Sequence, residues 1–579
     1  MGSDIVRLFR RCVRYVFFAD TLQSTLYAHT TDVHGTQRKR PSHAWLVASA
    51  GACVLGACSS VPTMLDPYEK TLGVDGPTQL QFHSLVYSPN GTALHYPGYV
   101  VALEKSSQHL IGGPKVNQAA RQFLHADAAY FQKETPSRWD IGTASQIRRF
   151  QENDAKAMFI SHIAKYSTLS LPVTGGTYTA TEHCFVYNAY AANALRRQHA
   201  AAEDLSRVNA WHACPIAQNT DRNDIGRNQF YTEGRAALER LGENLSADLK
   251  GDRITHVILI VMGWNTAQDE AVRNFNDLTG NLLEAAYERT LVRSAAQIQR
   301  PTAPRNASTA LRDFRPLVIG VTWPSFWSNS FTNVFSYTNK ANDADEIGLS
   351  WLNELLNQTI PRALAEAHSS AQVVAIGHSF GARAMTRALF SAPALKPDMV
   401  QLQSPVRLAV GLEGAVSINR FVPSLSEEGA PYRDFRMLSS TQIALTASSH
   451  DNAAGGPVFW YEPSGSTRSL NLACADSSLD YRGIFECVVA SDRSASPGGD
   501  FRICLFSDSE CRETLSGDSK VPAKGVLYID TSNGITQFNT PGTGGGAHSD
   551  IYRLPMGRLL WRLIEQYAQG PANTMQAQP

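Results

Sequence analysis

The 579-residue chain is predicted to fold as an α/β protein, with a mostly parallel sheet flanked by helices. Three observations carry that expectation. From about residue 232, short β-branched apolar runs alternate with helical patterns, as in a parallel sheet covered on both faces. One of those runs, Val373 to Ile376, passes through Gly377-His378-Ser379-Phe380-Gly381 into a helical pattern. A Gly-x-Ser-x-Gly turn between strand and helix lifts its serine clear of the sheet. An aspartate and a histidine, residue types that such a serine needs as acid and base, then follow later strands.

The N-terminus reads as an address. Arg38-Lys39-Arg40 precedes an apolar run from Ala44 to Ala57. A basic stretch before a short apolar one is the pattern of a secretory signal, and the run is short for a membrane helix. Leu55-Gly56-Ala57-Cys58 resembles the lipobox of bacterial lipoproteins. That resemblance implies cleavage before Cys58, a lipid on its sulfur, and a place in the bacterial cell envelope. Ser59 fits sorting to the outer membrane. Ahead of the signal, Val6 to Phe18 carries four arginines. It reads either as an amphipathic surface helix or as the product of a start codon set too far upstream. Residues 1–57 are thus extension and signal, and 58–75 a polar tether.

Composition narrows the class. Hydrophobic residues make up 43% of the chain, ample for a core, and the formal net charge is zero. That balance gives no electrostatic case for a nucleic-acid partner. Six cysteines follow Cys58: Cys184, Cys214, Cys474, Cys487, Cys504 and Cys511. An even number in an exported chain points to disulfides, whose pairing sequence alone does not give. No CxxC pair or Cys/His spacing suggests a metal site.

Residues 76–231 are expected to hold a hairpin and a helical accessory region. Leu80–Tyr87 and Thr92–Tyr96 flank an Asn-Gly turn, the expected first antiparallel strands. Ala144–Ser167 and Ala189–Ala210 carry apolar residues at three- and four-residue spacing, which predicts helices. The main domain spans 232–568. Its strands are Ile254–Val261, Leu317–Trp323, Val373–Ile376, Val406–Leu412, Gln442–Ala447 and Val526–Ile529. Helices are expected from Thr266 to about Arg293, over Ile347–Ala367 and over Leu554–Tyr567. Residues 569–579 read as a disordered tail.

The strand order from residue 232 and the Gly377–Gly381 elbow resemble the α/β-hydrolase superfamily, in its bacterial esterase- and lipase-like branch. In that branch a His-Gly-Phe/Trp-Asn-Thr motif follows the third strand and Trp-Pro-Ser ends the fourth. Here the positions read Met262-Gly263-Trp264-Asn265-Thr266 and Trp323-Pro324-Ser325. Methionine stands where the histidine is expected. The resemblance implies Ser379 as nucleophile, with the backbone amides of Phe380 and Trp264 as oxyanion donors. Gly377 and Gly381 give the elbow room.

The base is read as His548, in a glycine-rich loop after the last strand. No strand leads directly into that loop and no Gly-Lys-Ser/Thr follows, so it is not a nucleotide site. The acid is read as Asp451, after the strand ending at Ala447, with Glu413 as alternative. Asp530 and Asp550 read as loop carboxylates, and His378 and His450 as neighbours. Between acid and base lies an insertion, about 453–521, holding four cysteines. It reads as a lid, a substrate platform or a surface excursion. The whole implies a serine hydrolase acting on a small-molecule or lipid ester, held to the membrane through Cys58 and needing no metal or organic cofactor. The same machinery serves a thioester, amide or phospholipid, and a non-catalytic envelope scaffold is the rival class.

Overall fold

The computed structural model describes residues 93–105, 158–173, 176–188, 214, 230–251, 253–266, 268–299, 314–325, 337–392 and 404–422. With short gaps it also describes 432–453, 462–475, 481–493, 500–505, 525–537 and 546–569. The signal, Cys58, the tether, Leu80–Tyr87, the Ala189–Ala210 stretch and the 570–579 tail lie outside these residues.

The described strands form one sheet. They are β1 (Gly98–Lys105), β2 (Met158–Val173), β3 (Gly176–Asn188), β4 (His256–Val261), β5 (Pro316–Thr322) and β6 (Gln372–His378). There follow β7 (Val406–Leu412), β8 (Gln442–Ala447), β9 (Phe485–Arg493), β10 (Asp500–Leu505) and β11 (Val526–Asp530). Their order across the sheet is β10-β9-β11-β8-β7-β6-β4-β5-β1-β2-β3. From β9 to β1 every neighbouring pair is parallel, while β10 and the β2–β3 hairpin close the two sides antiparallel.

The central strands are apolar runs because both their faces are covered. Every residue of β4 and β5 is buried, and all but the first of β6. The covering helices are α1 (Phe230–Leu249), α2 (Gln268–Gln299), α3 (Tyr337–Leu349), α4 (Trp351–Glu354), α5 (Ile360–Ala367), α6 (Phe380–Leu389), α7 (Thr467–Cys474) and α8 (Leu554–Tyr567). The helix expected over Ile347–Ala367 is broken at Ser350 and passes through a π turn, Leu355–Thr359, between α4 and α5. A fully buried Val, Ile or Leu contributes about 1.5–3 kcal/mol. The three central strands β4, β5 and β6 supply twelve such residues, so the sheet beneath the site is anchored by continuous apolar burial.

Two expectations for residues 76–231 are overturned. Residues 93–97, expected in the second strand of a hairpin, are irregular, and the first described strand, β1, starts at Gly98 and runs parallel to β5. Residues 158–167, expected as helix, belong to the long strand β2. A bulge is the reason. Ala102 pairs with His162 but Leu103 with Ile160, so Ser161 is an extra residue. That slip breaks the two-residue alternation and leaves Ile160, Ile163 and Ala164 buried at helix-like spacing.

The insertion also joins the sheet, through β9 and β10. Cys474 at the end of α7 is bonded to Cys487 in β9, and Cys184 in β3 to Cys214. Cys504 is disulfide-bonded as well. Closing loops of this size stabilises a chain by about 3–4 kcal/mol.

Candidate active site

The carboxyl ends of the central strands gather one set of loops. β5 lies on one side of β4 and β6 on the other, so the chain reverses direction across the sheet at β4. Crevices at such reversals are where open α/β sheets bind ligands. β6 ends at His378 and α6 begins at Phe380, leaving Ser379 at the corner with φ 53° and ψ −119°. A side chain held there costs about 1–3 kcal/mol and must be gripped by its surroundings. The Ser379 N–H donates to the Leu412 carbonyl at 3.1 Å, and its own carbonyl accepts from Ala382 N–H at 3.1 Å and Ala415 N–H at 3.0 Å. A Cβ on Gly377 would stand 2.5 Å from the Ala382 nitrogen, and one on Gly381 2.1 Å from the Val261 carbonyl oxygen. Only glycine lets α6 pack this close to β4 and β6.

The loop after β4 passes beside the serine. A Cβ on Gly263 would lie 3.0 Å from both the Ser379 Cβ and the His378 carbonyl oxygen. The loop after β5 holds it there. Trp323 Nε1–H donates to the Met262 carbonyl at 3.0 Å, and Asn265 N–H to the Ser325 carbonyl at 3.2 Å. The Ser325 hydroxyl accepts from Thr266 N–H at 3.3 Å and donates to the Thr266 carbonyl at 2.9 Å. The two motifs read separately in the sequence thus close on each other, with Asn265 turned to φ 60° between them. Met262 is buried and is held by its carbonyl, so the frame around Trp264 does not depend on the side chain found there. Trp264 and Phe380 face each other with ring centroids 6.1 Å apart. Phe380 is the first residue of α6, where helical N–H groups point outward along the axis.

Opposite them, His548 Nδ1 is 2.8 Å from Asp451 Oδ2. The Asp451 side chain has no exposed surface and the His548 ring keeps 16% of its own. A carboxylate facing Nδ1 fixes the hydrogen on that nitrogen and leaves a lone pair on Nε2. Asp451 Oδ1 accepts from Ala453 N–H at 2.8 Å. The histidine loop is clipped to the acid loop by Ala547 N–H donating to the His450 carbonyl at 2.8 Å, and by a bridge between Asp451 and Gly546.

His378 ties this loop to the elbow. Its Nε2 is 3.0 Å from the His548 carbonyl oxygen, so it donates, and the two rings are 4.8 Å apart. Burial, helped by His548, pushes the His378 ring down to about 3, which keeps it a neutral imidazole. Its Nδ1 lies 3.5 Å from the Tyr552 hydroxyl.

The remaining sequence candidates fall elsewhere. Glu413 is buried and accepts from the Thr446 and Thr531 hydroxyls and from Ser448 N–H. Asp530 accepts from Ser532 N–H at 2.9 Å; Asp550 accepts from Thr536 and Gln537 N–H and pairs with Arg553. Both are carboxylates that shape loops. His450 is exposed and contributes its backbone. Sequence reasoning assigned no work to Ser325 or His378. The signal available was their place, each at the carboxyl end of a buried strand.

A mostly parallel sheet flanked by helices, with a strained serine between its central strand and the next helix, is the α/β-hydrolase architecture. Residues 238–396 match an alpha/beta hydrolase family of unknown function (DUF900). That stretch runs from within α1 to beyond α6, so it holds Gly263, Trp264, Ser325 and Ser379, while Asp451 and His548 lie outside it. No curated protein and no solved structure matches the chain.

Proposed function

We propose that this protein is a serine hydrolase that cleaves carboxylic esters from the bacterial envelope, where a lipid on Cys58 anchors it. The observation that carries the reading is the 2.8 Å bond from His548 Nδ1 to the buried Asp451, on a loop tied to the residue before Ser379. Ser379 Oγ attacks the acyl carbon as its proton passes to His548 Nε2, and Asp451 stabilises the imidazolium. The negative oxygen of the tetrahedral intermediate accepts from the Trp264 and Phe380 amides, each worth roughly 100- to 1,000-fold in turnover. The leaving alkoxide takes the proton from His548. Water, deprotonated by the same ring, then hydrolyses the acyl-enzyme and frees Ser379.

The test is fluorophosphonate labelling of the purified protein beside its Ser379→Ala variant, followed by a panel of ester, thioester and amide substrates. Labelling that requires Ser379, with turnover strongest on esters, supports the reading. A folded protein that stays unlabelled in mild detergent would refute it. The anchor is tested separately. Labelled palmitate incorporated equally by wild type and Cys58→Ser would exclude lipid at that residue.

A further inference from the structure

His378 meets three parts of the candidate site at once. It ends β6, which pairs with β4 on one side and β7 on the other, so its backbone is held by the sheet. The next residue is Ser379. The buried His378 ring reaches across to the loop between β11 and α8, where its Nε2 lies 3.0 Å from the His548 carbonyl oxygen. Its Nδ1 faces the loop after β4, close enough that a Cβ on Gly263 would stand 3.0 Å away. The Tyr552 hydroxyl is 3.5 Å from the same nitrogen, and the two rings meet edge to face at 5.9 Å.

A carbonyl oxygen only accepts, so the hydrogen of the His378 ring is on Nε2. We infer that His378 is a positioning residue: its Nε2–H holds the His548 carbonyl and so sets how far the base stands from Ser379. The inference rests on the reading of Ser379 and His548 as nucleophile and base.

The need for such a tie follows from where the partners come from. The His548 ring is bonded to Asp451, but Asp451 is itself on a loop, after β8. A bond between two loops orients the imidazole without fixing its distance from the elbow. His378 supplies that distance, because it is one peptide from the serine and its bond ends on the backbone of the base. A misplacement of about 1 Å costs roughly 100-fold in rate. The ring's charge state suits the task. The titratable groups facing it are His548, Asp451 and Tyr552. Burial first, and His548 second, keep the His378 ring neutral. The imidazolium that forms on His548 during acyl transfer therefore meets no second cation across the 4.8 Å between the rings.

The experiment compares His378→Gln and His378→Asn with wild type and Ser379→Ala in full-length protein, by kcat, KM and the rate of fluorophosphonate labelling. Glutamine places its amide nitrogen where the ring carries Nε2, whereas the asparagine amide reaches only as far as Nδ1. Glutamine should leave kcat within about threefold of wild type. Asparagine should lower kcat and the labelling rate together by roughly 10- to 100-fold, with KM little changed. The downfield proton signal of the bond from His548 Nδ1 to Asp451 should stay sharp with glutamine and broaden with asparagine.

Equal kcat in the two variants would overturn the proposal, as would an asparagine variant that loses KM rather than kcat. Should asparagine not fold, histidine-selective 15N labelling of the wild type decides, with the His378 signals assigned by their loss in His378→Gln. A protonated Nε2 at neutral pH supports the tie, and an Nε2 without a hydrogen refutes it. Activity that survives Ser379→Ala would instead sink the hydrolase reading itself.

Discussion

Replacing Asp345 should strike the elbow from behind. Asp345 lies on α3, with none of its side chain exposed. It accepts from Arg383 on the elbow helix α6 at 2.5 Å, and from Arg420 in the turn after β7 at 3.1 Å through each of two nitrogens. Arg420 also donates to the Tyr432 hydroxyl at 3.0 Å, and Tyr432 stacks on Phe390 just past α6. One anion therefore fastens α6 to both α3 and the β7 turn that grips Ser379. Each guanidinium–carboxylate contact is worth about 4 kcal/mol at an effective dielectric constant near 20. Desolvation of three buried ions takes back several kcal/mol per ion, so the assembled group adds little net stability. Breaking it is another matter, because Asp345→Asn strands two buried cations. The expected loss is about 3–5 kcal/mol in urea unfolding, a third or more of a typical domain's stability. A cycle of Asp345→Asn with Arg383→Met should show strong coupling, since methionine removes one of the stranded charges. Burial raises the Asp345 carboxyl, but Arg383 and Arg420 outweigh it and hold the group well below the usual value near 3.8. Its contribution is therefore complete above that pH and is lost as acid protonates the folded form. The gap between wild type and Asp345→Asn should close in strong acid. A loss under about 1 kcal/mol at neutral pH, or a cycle without coupling, would refute the argument.

Gly381→Ala sets a Cβ 2.1 Å from the Val261 carbonyl oxygen, with backbone on both sides. It should cost about 3 kcal/mol and abolish fluorophosphonate labelling, measured by thermal unfolding and by probe. Ser325→Ala leaves the Thr266 N–H and carbonyl without their partner and frees the loop that carries Trp264. The loss should be about 1–3 kcal/mol of stability, with kcat falling while KM holds. His162, His256 and His378 are pushed by burial down to about 3, 4 and 3. They fold neutral, and the unfolded chain takes up protons below about 6.5. Stability should be full above that pH and fall toward pH 4, by up to about 1.4 kcal/mol per unit for each ring. His256→Gln, which keeps a donor for the Ala568 carbonyl, should flatten the urea-midpoint curve between pH 6.5 and 4.

The legible parts of this fold are those where burial on both faces writes itself into composition. β4, β5 and β6 carry continuous apolar runs because both their faces are covered, with polar side chains only at their ends. The closing helix α8 was read over the same residues, since its apolar positions recur every three or four residues. β2 was not legible, because the bulge at Ser161 shifts the alternation out of phase and imitates a helix. β9 and β10 hid inside a stretch marked only by cysteines, and the sheet accepts them beyond β11 through backbone pairing that leaves little trace in side chains. Asp345, Arg383 and Arg420 meet from three distant segments, and no local pattern announces such a meeting.

Around the candidate site the same contrast has a chemical meaning. The residues proposed as nucleophile, acid and base, Ser379, Asp451 and His548, were read from their places after β6, β8 and β11 in chain order. What holds them in place was not readable, because it is made of ordinary residues in unusual company. Ser325 clamps the loop of Trp264, His378 pins the backbone of His548, and Glu413 accepts from Ser448 N–H in the loop that carries Asp451. All three are at or next to the carboxyl ends of β5, β6 and β7, neighbours of β4 or of one another in the sheet. The supporting residues therefore sit at the ends of the buried central strands, while the proposed acid and base lie in loops after β8 and β11. A carboxylate on a loop needs a second fixed point to keep its bond to the histidine in line. Glu413, just past β7 with φ 43°, fastens that loop by accepting from Ser448 N–H at 3.1 Å.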